Sequence, residues 1–142
     1  KERFGKGAVE GVLGPGAAFV CSVMARFSPF EVAWLALHGQ LRTATRRWRR
    51  GWQPAVVSGK DGVDVAIPVH YLTVGEVARE FAPAFAVERT MALGLLVPPP
   101  YLDHLSRHRW LFANLASLER RLRHARPWRY MGDHIALVLR KR

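Results

Sequence analysis

The chain has 142 residues and carries 22 Lys and Arg against 11 Asp and Glu, a formal net charge of +11. This length favours one domain, and the unbroken apolar runs are too short for a membrane-spanning helix. A single cysteine excludes an internal disulfide, and so basic a balance indicates an anionic partner or substrate.

The first third of the chain predicts a strand followed by a long helix. The apolar stretch 17–23 follows a Gly-Pro-Gly turn and predicts a buried strand. Ser28 and Pro29 are typical of a helix start, because serine caps well and proline suits the first turn. Apolar residues then recur at steps of three and four across 30–50. This spacing predicts one long amphipathic helix that ends near Gly51.

The middle of the chain predicts an extended segment and a short helix. The turn sequence 59–62 precedes an apolar segment over 63–72, in which Pro68 favours an edge or irregular position. Thr73 is placed to cap the helix that follows, and Glu76 is placed to complete a capping box.

The last part of the chain predicts a strand, a helical insert and a closing strand. Residues 84–97 form the next strand candidate, which three prolines end. An amphipathic helix or helix pair follows, within an insert at about 98–128. Residues 134–139 are nearly all apolar and predict a closing strand. We expect it to run antiparallel to its neighbours, because no crossover helix long enough for a parallel return precedes it.

Three of these stretches resemble the C-terminal half of a class I S-adenosylmethionine-dependent methyltransferase. Residues 12–24, "VLGPGAAFVCSVM", are similar to the family's Pro-Gly turn and fifth strand. Residues 73–93 are similar to its short helix and sixth strand, and 132–142, "GDHIALVLRKR", to its seventh strand. The resemblance implies an α/β fold, the C-terminal part of a Rossmann-like methyltransferase sheet. In it two parallel strands flank an antiparallel last strand, and helical insertions form a cap.

The resemblance also implies S-adenosylmethionine as the cofactor and methyl transfer as the reaction. The family's Gly-rich cofactor loop is not found, since the glycines of "FGKGAVEG" (4–11) have the wrong spacing and follow no strand. We therefore expect 1–142 to be a single partial domain, whose missing N-terminal half binds most of the cofactor. We expect the chain alone to be inactive, and to self-associate through the exposed edge of strand 17–23.

Ligands of such sheets bind beyond the carboxyl ends of the parallel strands. Seven residues of the loops expected there are candidate contacts for a small-molecule methyl acceptor: Arg26, Phe27, Glu31, His70, Tyr71, Tyr101 and His134. None is assigned a catalytic role. His134 has a structural alternative as a hydrogen-bonded histidine that opens a strand. Glu31 suits a first helical turn by itself, and Asp133 is expected to fix the turn into the last strand.

No metal site is predicted, and the arginine clusters leave three interpretations open. His104 and His108 lie four residues apart but lack a third ligand. The clusters at 42–52 and 119–129 form a solvated helix face, bind nucleic acid with the nearby tryptophans, or contact an anionic membrane surface. No named nucleic-acid motif accompanies them, which argues against the second interpretation.

The sequence therefore predicts the acceptor-binding portion of a methyltransferase, cytoplasmic or peripheral to the membrane, with a small-molecule or lipid-like acceptor. The alternative is a non-enzymatic basic module that binds nucleic acid or an anionic membrane surface.

Overall fold

A computed structural model describes residues 6–58, 62–97 and 108–142 of the chain. In chain order, its helices and strands are α1 (Lys6–Val12), β1 (Ala18–Met24), α2 (Pro29–Leu37), α3 (Leu41–Ala44), β2 (Trp52–Ser58), β3 (Asp64–His70), α4 (Val74–Phe81), β4 (Phe85–Leu93), α5 (Arg109–Leu122) and β5 (His134–Lys141). Two 3-10 helices lie at Arg46–Trp48 and Trp128–Tyr130. The fold is mixed α/β, with a three-stranded antiparallel sheet, a two-stranded hairpin and several helices.

The closing segment of the chain is the central strand of the larger sheet. The strand order is β1-β5-β4, and β5 runs antiparallel to both neighbours. The register places His134 between Met24 of β1 and Leu93 of β4. β1 and β4 therefore point in the same direction without pairing to each other. The predicted antiparallel closing strand is confirmed.

One face of this sheet carries the hydrophobic core. Ile135, Leu137 and Leu139 alternate along β5 and are buried, and they pack with Val77 and Phe81 of α4. Burial of each such side chain contributes about 1.5–3 kcal/mol. The opposite face is more open, as the 66% exposure of Val20 in β1 shows. The prediction of a buried strand at 17–23 is only partly confirmed, because Val23 is buried on the core face whereas Val20 on the opposite face is exposed.

The predicted cap of α4 is present. The Thr73 hydroxyl accepts a hydrogen bond from the Glu76 amide, and the Glu76 carboxylate accepts one from the Thr73 amide at 2.9 Å. This reciprocal pair satisfies two amides that a helix start would otherwise leave unbonded.

The prediction of one long helix over 30–50 is wrong. α2 ends at Leu37, and α3 and the first 3-10 helix follow as separate short pieces. Gly39 adopts φ +71° and its amide donates to the Ala36 carbonyl, which closes the helix end. The apolar spacing continues past this glycine, but a left-handed residue cannot continue a right-handed helix.

The hairpin was predicted only in part. β3 falls within the extended segment expected at 63–72, but β2 was not predicted. The two strands pair antiparallel from Trp52 opposite His70 to Ser58 opposite Asp64. Pro68 lies opposite Pro54 in this ribbon, where both strands are edges, as proline requires.

α5 lies within the predicted helical insert, and residues 98–107 of that insert fall outside the described residues. No residue of α5 is buried, so hydrophobic burial does not hold this helix in place. Glu119 fixes the helix instead. Its carboxylate accepts hydrogen bonds from the amides of Gly94, Leu96 and Val97 at 2.9–3.0 Å, which holds the loop after β4.

Gly132 separates the second 3-10 helix from β5 and generates a stability prediction. Its φ is +136°, and an added Cβ would lie 2.7 Å from the Leu93 carbonyl oxygen. Gly39 also has a positive φ, but its Cβ would meet open space. We expect Gly132→Ala to lower the free energy of unfolding by at least about 2 kcal/mol more than Gly39→Ala. Urea denaturation measures the difference, and equal losses would contradict the close approach of Gly132 to the Leu93 carbonyl.

Candidate functional site at the carboxyl end of β1

The loops predicted to converge beyond β1 are hydrogen-bonded to one another. The Ala25 amide donates to the Asp133 carbonyl at 3.0 Å, and the Gly132 amide donates to the Phe27 carbonyl at 2.8 Å. The Asp133 amide donates to the Gly94 carbonyl at 3.0 Å. The segments after β1, after β4 and before β5 therefore form one rim.

The end of β3 joins the same rim. The Leu72 amide donates to the Met24 carbonyl at 2.9 Å, and the Arg26 amide donates to the Leu72 carbonyl at 3.0 Å. Ala25 and Leu72 form an isolated parallel bridge. This bridge brings Tyr71 to the end of β1, as expected for a segment at the top of the sheet.

Arg47 occupies the centre of the rim. Its guanidinium forms ion pairs with Glu31 and with Asp133 Oδ1, the latter at 2.6 Å. The same group donates to the carbonyls of Ala25 at 3.1 Å and Asp133 at 3.2 Å. Arg47 is only 2% exposed and Glu31 only 4%. A buried arginine thus connects the first 3-10 helix, α2 and two loops of the rim.

The charges of this network are balanced. Arg46 donates to the second oxygen of Glu31 at 2.9 Å, so two arginines face two carboxylates. Burial alone would lower the pKa of Arg47, but attraction to Glu31 and Asp133 outweighs burial and raises it. A buried ion pair is costly unless its remaining hydrogen-bonding groups are satisfied, and the backbone carbonyls supply part of that need.

Asp133 also contacts His134. Its Oδ2 lies 2.9 Å from His134 Nδ1, and because an ionised carboxylate only accepts, Nδ1 carries the proton. Burial raises the pKa of Asp133, but the hydrogen bonds from His134 and Arg47 outweigh it and lower the pKa to about 2. The His134 side chain is 40% exposed. An ionised aspartate therefore orients an accessible imidazole.

Tyr71 lies beside the same arginine. The Arg47 guanidinium carbon is 4.9 Å from the Tyr71 ring centroid, within range of a cation–π interaction. The Tyr71 hydroxyl is buried and has no hydrogen-bond partner among the described residues. Burial raises the pKa of Tyr71, so the phenol stays protonated at neutral pH and can donate.

Arg26 has a structural role in the rim. Its Nη2 donates to Glu76 Oε1 at 2.8 Å and to the Tyr71 carbonyl at 3.2 Å. The loop after β1 is thereby tied to the start of α4 and to the end of β3. Burial raises the pKa of Glu76, but its hydrogen bonds from Thr73 and Arg26 outweigh burial and lower it.

The structure places four of the seven candidate contacts in or against this network: Arg26, Glu31, Tyr71 and His134. Phe27 follows Arg26 and is exposed. His70 packs edge-on against Trp52, with ring centroids 5.4 Å apart, at the base of the hairpin. Tyr101 lies outside the described residues.

Sequence reasoning missed Arg47 and assigned Asp133 a smaller role. Asp133 was expected only to fix a turn, but its side chain pairs with Arg47 and His134. Arg47 was treated only as one arginine of the cluster at 42–52, for which a solvated face, nucleic acid and a membrane surface were all left open. A helix that continued through 30–50 would turn Trp48 towards the core. The structure instead buries Arg47, three residues after the buried Ala44, and leaves Trp48 exposed.

A cleft of about 270 Å³ lies between β1 and the hairpin. Its lining includes Ser22, Met24, Trp52, Pro68, His70 and Leu72. Met24 is the register partner of His134 and lies on the same face of the sheet. The cleft therefore shares Met24 and Leu72 with the rim.

Within 6–58, 62–97 and 108–142, no three His, Cys, Asp or Glu residues are grouped to hold a metal ion. His104 of the considered histidine pair lies outside these ranges. In the same part of the chain, every helix is too short or too polar to cross a membrane.

No protein-family model matches the chain, and no curated protein is similar to it at a significant level.

The network predicts that Arg47 contributes much more to the free energy of unfolding than its neighbour Arg46. Arg47→Met leaves two carboxylates without their buried partner, so we expect it to lower the free energy of unfolding by about 3–5 kcal/mol. Arg46→Met removes a more exposed partner of Glu31 and is expected to cost at most about 1 kcal/mol. Chemical denaturation of both variants measures this, and similar losses would show that Arg47 is not the central cation.

The lowered pKa of Asp133 predicts that the protein loses stability in acid. The folded state lowers this pKa to about 2 from an ordinary 3.8, so ionised Asp133 stabilises the fold at every pH above the pKa of the unfolded state. About 2 kcal/mol is then lost as the pH falls from about 5 to about 1. Unfolding free energies of the wild type and Asp133→Asn over this pH range measure the effect. The variant should show a shallower slope, and parallel slopes would contradict the lowered pKa.

Proposed function

We propose that this chain is the C-terminal, acceptor-binding part of an S-adenosylmethionine-dependent methyltransferase. The observation that carries the proposal is the position of β5, which lies antiparallel between two strands that point the same way. This is the order that the resembled family has at the end of its sheet. The fold class proposed is accordingly the C-terminal part of a Rossmann-like methyltransferase sheet with helical insertions.

The described residues do not fit the cofactor. The glycines at 7 and 11 lie inside α1 and follow no described strand, so they form no turn that could hold a nucleoside. No described acidic residue ends a strand next to such a turn. We therefore assign the binding of S-adenosylmethionine mainly to a segment other than the described residues.

The rim offers one group suited to a proton transfer. A methyl acceptor that carries an O–H or N–H must lose that proton when it gains the methyl group, and a positioned base accelerates this. Asp133 holds His134 with Nδ1 protonated, which leaves Nε2 as the acceptor. The Tyr71 hydroxyl is a second polar group of the rim, but it is buried.

The first test concerns the cofactor. We expect calorimetry with S-adenosylmethionine to detect binding by the full product of the gene (the extended protein), and to detect none by residues 1–142 alone. Binding by neither protein would contradict the methyltransferase proposal. Tight binding by residues 1–142 alone would contradict the assignment of the cofactor site to another segment.

The second test concerns His134. With labelled S-adenosylmethionine and cell extract as the source of acceptor, His134→Gln in the extended protein should lower methyl incorporation by about 100-fold or more. Cofactor binding should stay unchanged. His108→Gln, at the exposed start of α5, is the matched control and should keep full incorporation. An equal effect of both variants, or of neither, would contradict the role of His134.

A further inference from the structure

The surface around α3 and the hairpin exposes an unusual number of large apolar side chains. Seven of them lie between residues 37 and 67: Leu37, Leu41, Trp48, Trp52, Val63, Val65 and Ile67. Leu37 is 83% exposed and Trp52 is 64% exposed. Trp48 and Trp52 are only four residues apart, so their Cα atoms lie within about 14 Å. We call this set of residues the apolar surface.

The hairpin part of this surface meets solvent on both faces. Residues 62–68 are all exposed, although successive residues of a strand point to opposite faces. Asp64 is the only Asp, Glu, Lys or Arg within 52–58 and 62–70. A two-stranded ribbon without packing is marginal in water. A flat protein partner or a nucleic acid would cover one face, whereas a lipid environment surrounds both.

The base of the hairpin is basic. Residues 32–58 contain five arginines and no acidic residue. Arg47 is buried and Arg46 pairs with Glu31, but Arg42, Arg49 and Arg50 are exposed and form no ion pair with a carboxylate of the described residues. Exposed arginines beside tryptophan and aliphatic side chains suit the boundary between anionic headgroups and acyl chains.

We propose that the apolar surface, with Arg42, Arg49 and Arg50, docks the protein on an anionic membrane. The depth is interfacial, because unpaired strand edges are not tolerated in the hydrocarbon core. Pro54 and Pro68 lie opposite each other and lack amide donors, so the hairpin has fewer unpaired backbone donors to remove from water when it enters the interface. Nucleic acid is less suitable as the partner, since aliphatic side chains such as Leu37 and Ile67 gain little from phosphates or bases.

Docking would place the cleft between β1 and the hairpin at the membrane surface, since Trp52 and Pro68 belong to both. If the proposed methyltransferase function holds, its acceptor is then an amphipathic, lipid-like molecule. This last step depends on that function, whereas the docking itself does not. Failure of vesicle binding and failure of cofactor binding are therefore separate results.

Vesicle co-sedimentation of the full 142-residue chain tests the docking. We expect binding to phosphatidylcholine vesicles with about 30% phosphatidylserine to be at least tenfold tighter than to pure phosphatidylcholine vesicles, and to weaken with salt. The double variant Trp52→Ser, Ile67→Ser should bind about fivefold or more weakly. Arg49→Ala with Arg50→Ala should weaken binding and flatten its salt dependence.

Trp110→Ser is the matched control, because Trp110 is 79% exposed but lies on α5. Its binding should equal that of the wild type, and circular dichroism should show all variants folded. Equal affinity for both vesicle types, binding to neither, or an unchanged affinity of the Trp52 and Ile67 variant would overturn the proposal. Tighter binding to a single-stranded RNA oligonucleotide than to anionic vesicles, lost in the arginine variant, would assign the surface to nucleic acid instead.

Discussion

The buried guanidinium of Arg47 is the constraint on which the rest of the rim depends. It reaches Glu31 on α2, Asp133 before β5 and the carbonyl of Ala25 after β1. These groups belong to segments that are far apart in sequence, and Asp133 is 86 residues away. A buried cation is tolerated only while its partners stay in place, so one side chain fixes the relative positions of all these segments.

The same constraint prepares the site. Arg47 keeps Asp133 ionised, and Asp133 in turn orients the imidazole of His134 at the end of the sheet. The residues that stabilise the loops are therefore those that position the exposed imidazole of the rim. The cleft lies between β1 and the hairpin and shares Met24 and Leu72 with the rim, so the proposed acceptor binding and membrane docking involve neighbouring parts of the molecule.

The parts of the fold that depend on neighbouring residues could be predicted from the sequence. The Thr73 and Glu76 cap is a local pattern, and the direction of β5 follows from the short chain path available to it. The long helix over 30–50 was wrong, because apolar spacing persists across Gly39 and does not mark where a helix ends. β2 was missed because Gln53 and Pro54 interrupt its apolar pattern.

The meeting of the loops was predicted, but the pairing of their side chains was not. Loops at the end of a strand can be inferred from topology, which is how Glu31, Tyr71 and His134 were selected. The role of Arg47 depends on ion pairs across the fold, and in sequence it is one arginine among five in a cluster. Burial alone distinguishes it from Arg49 and Arg50, and burial is decided by the break in the helix.

Long-range proton–nitrogen NMR on nitrogen-labelled protein at neutral pH reports which ring nitrogen of His134 carries the proton. The contact with Asp133 predicts a proton on Nδ1 and a free Nε2, and Asp133→Asn should remove this preference. A proton on Nε2 in the wild type, with Nδ1 free, would contradict that contact.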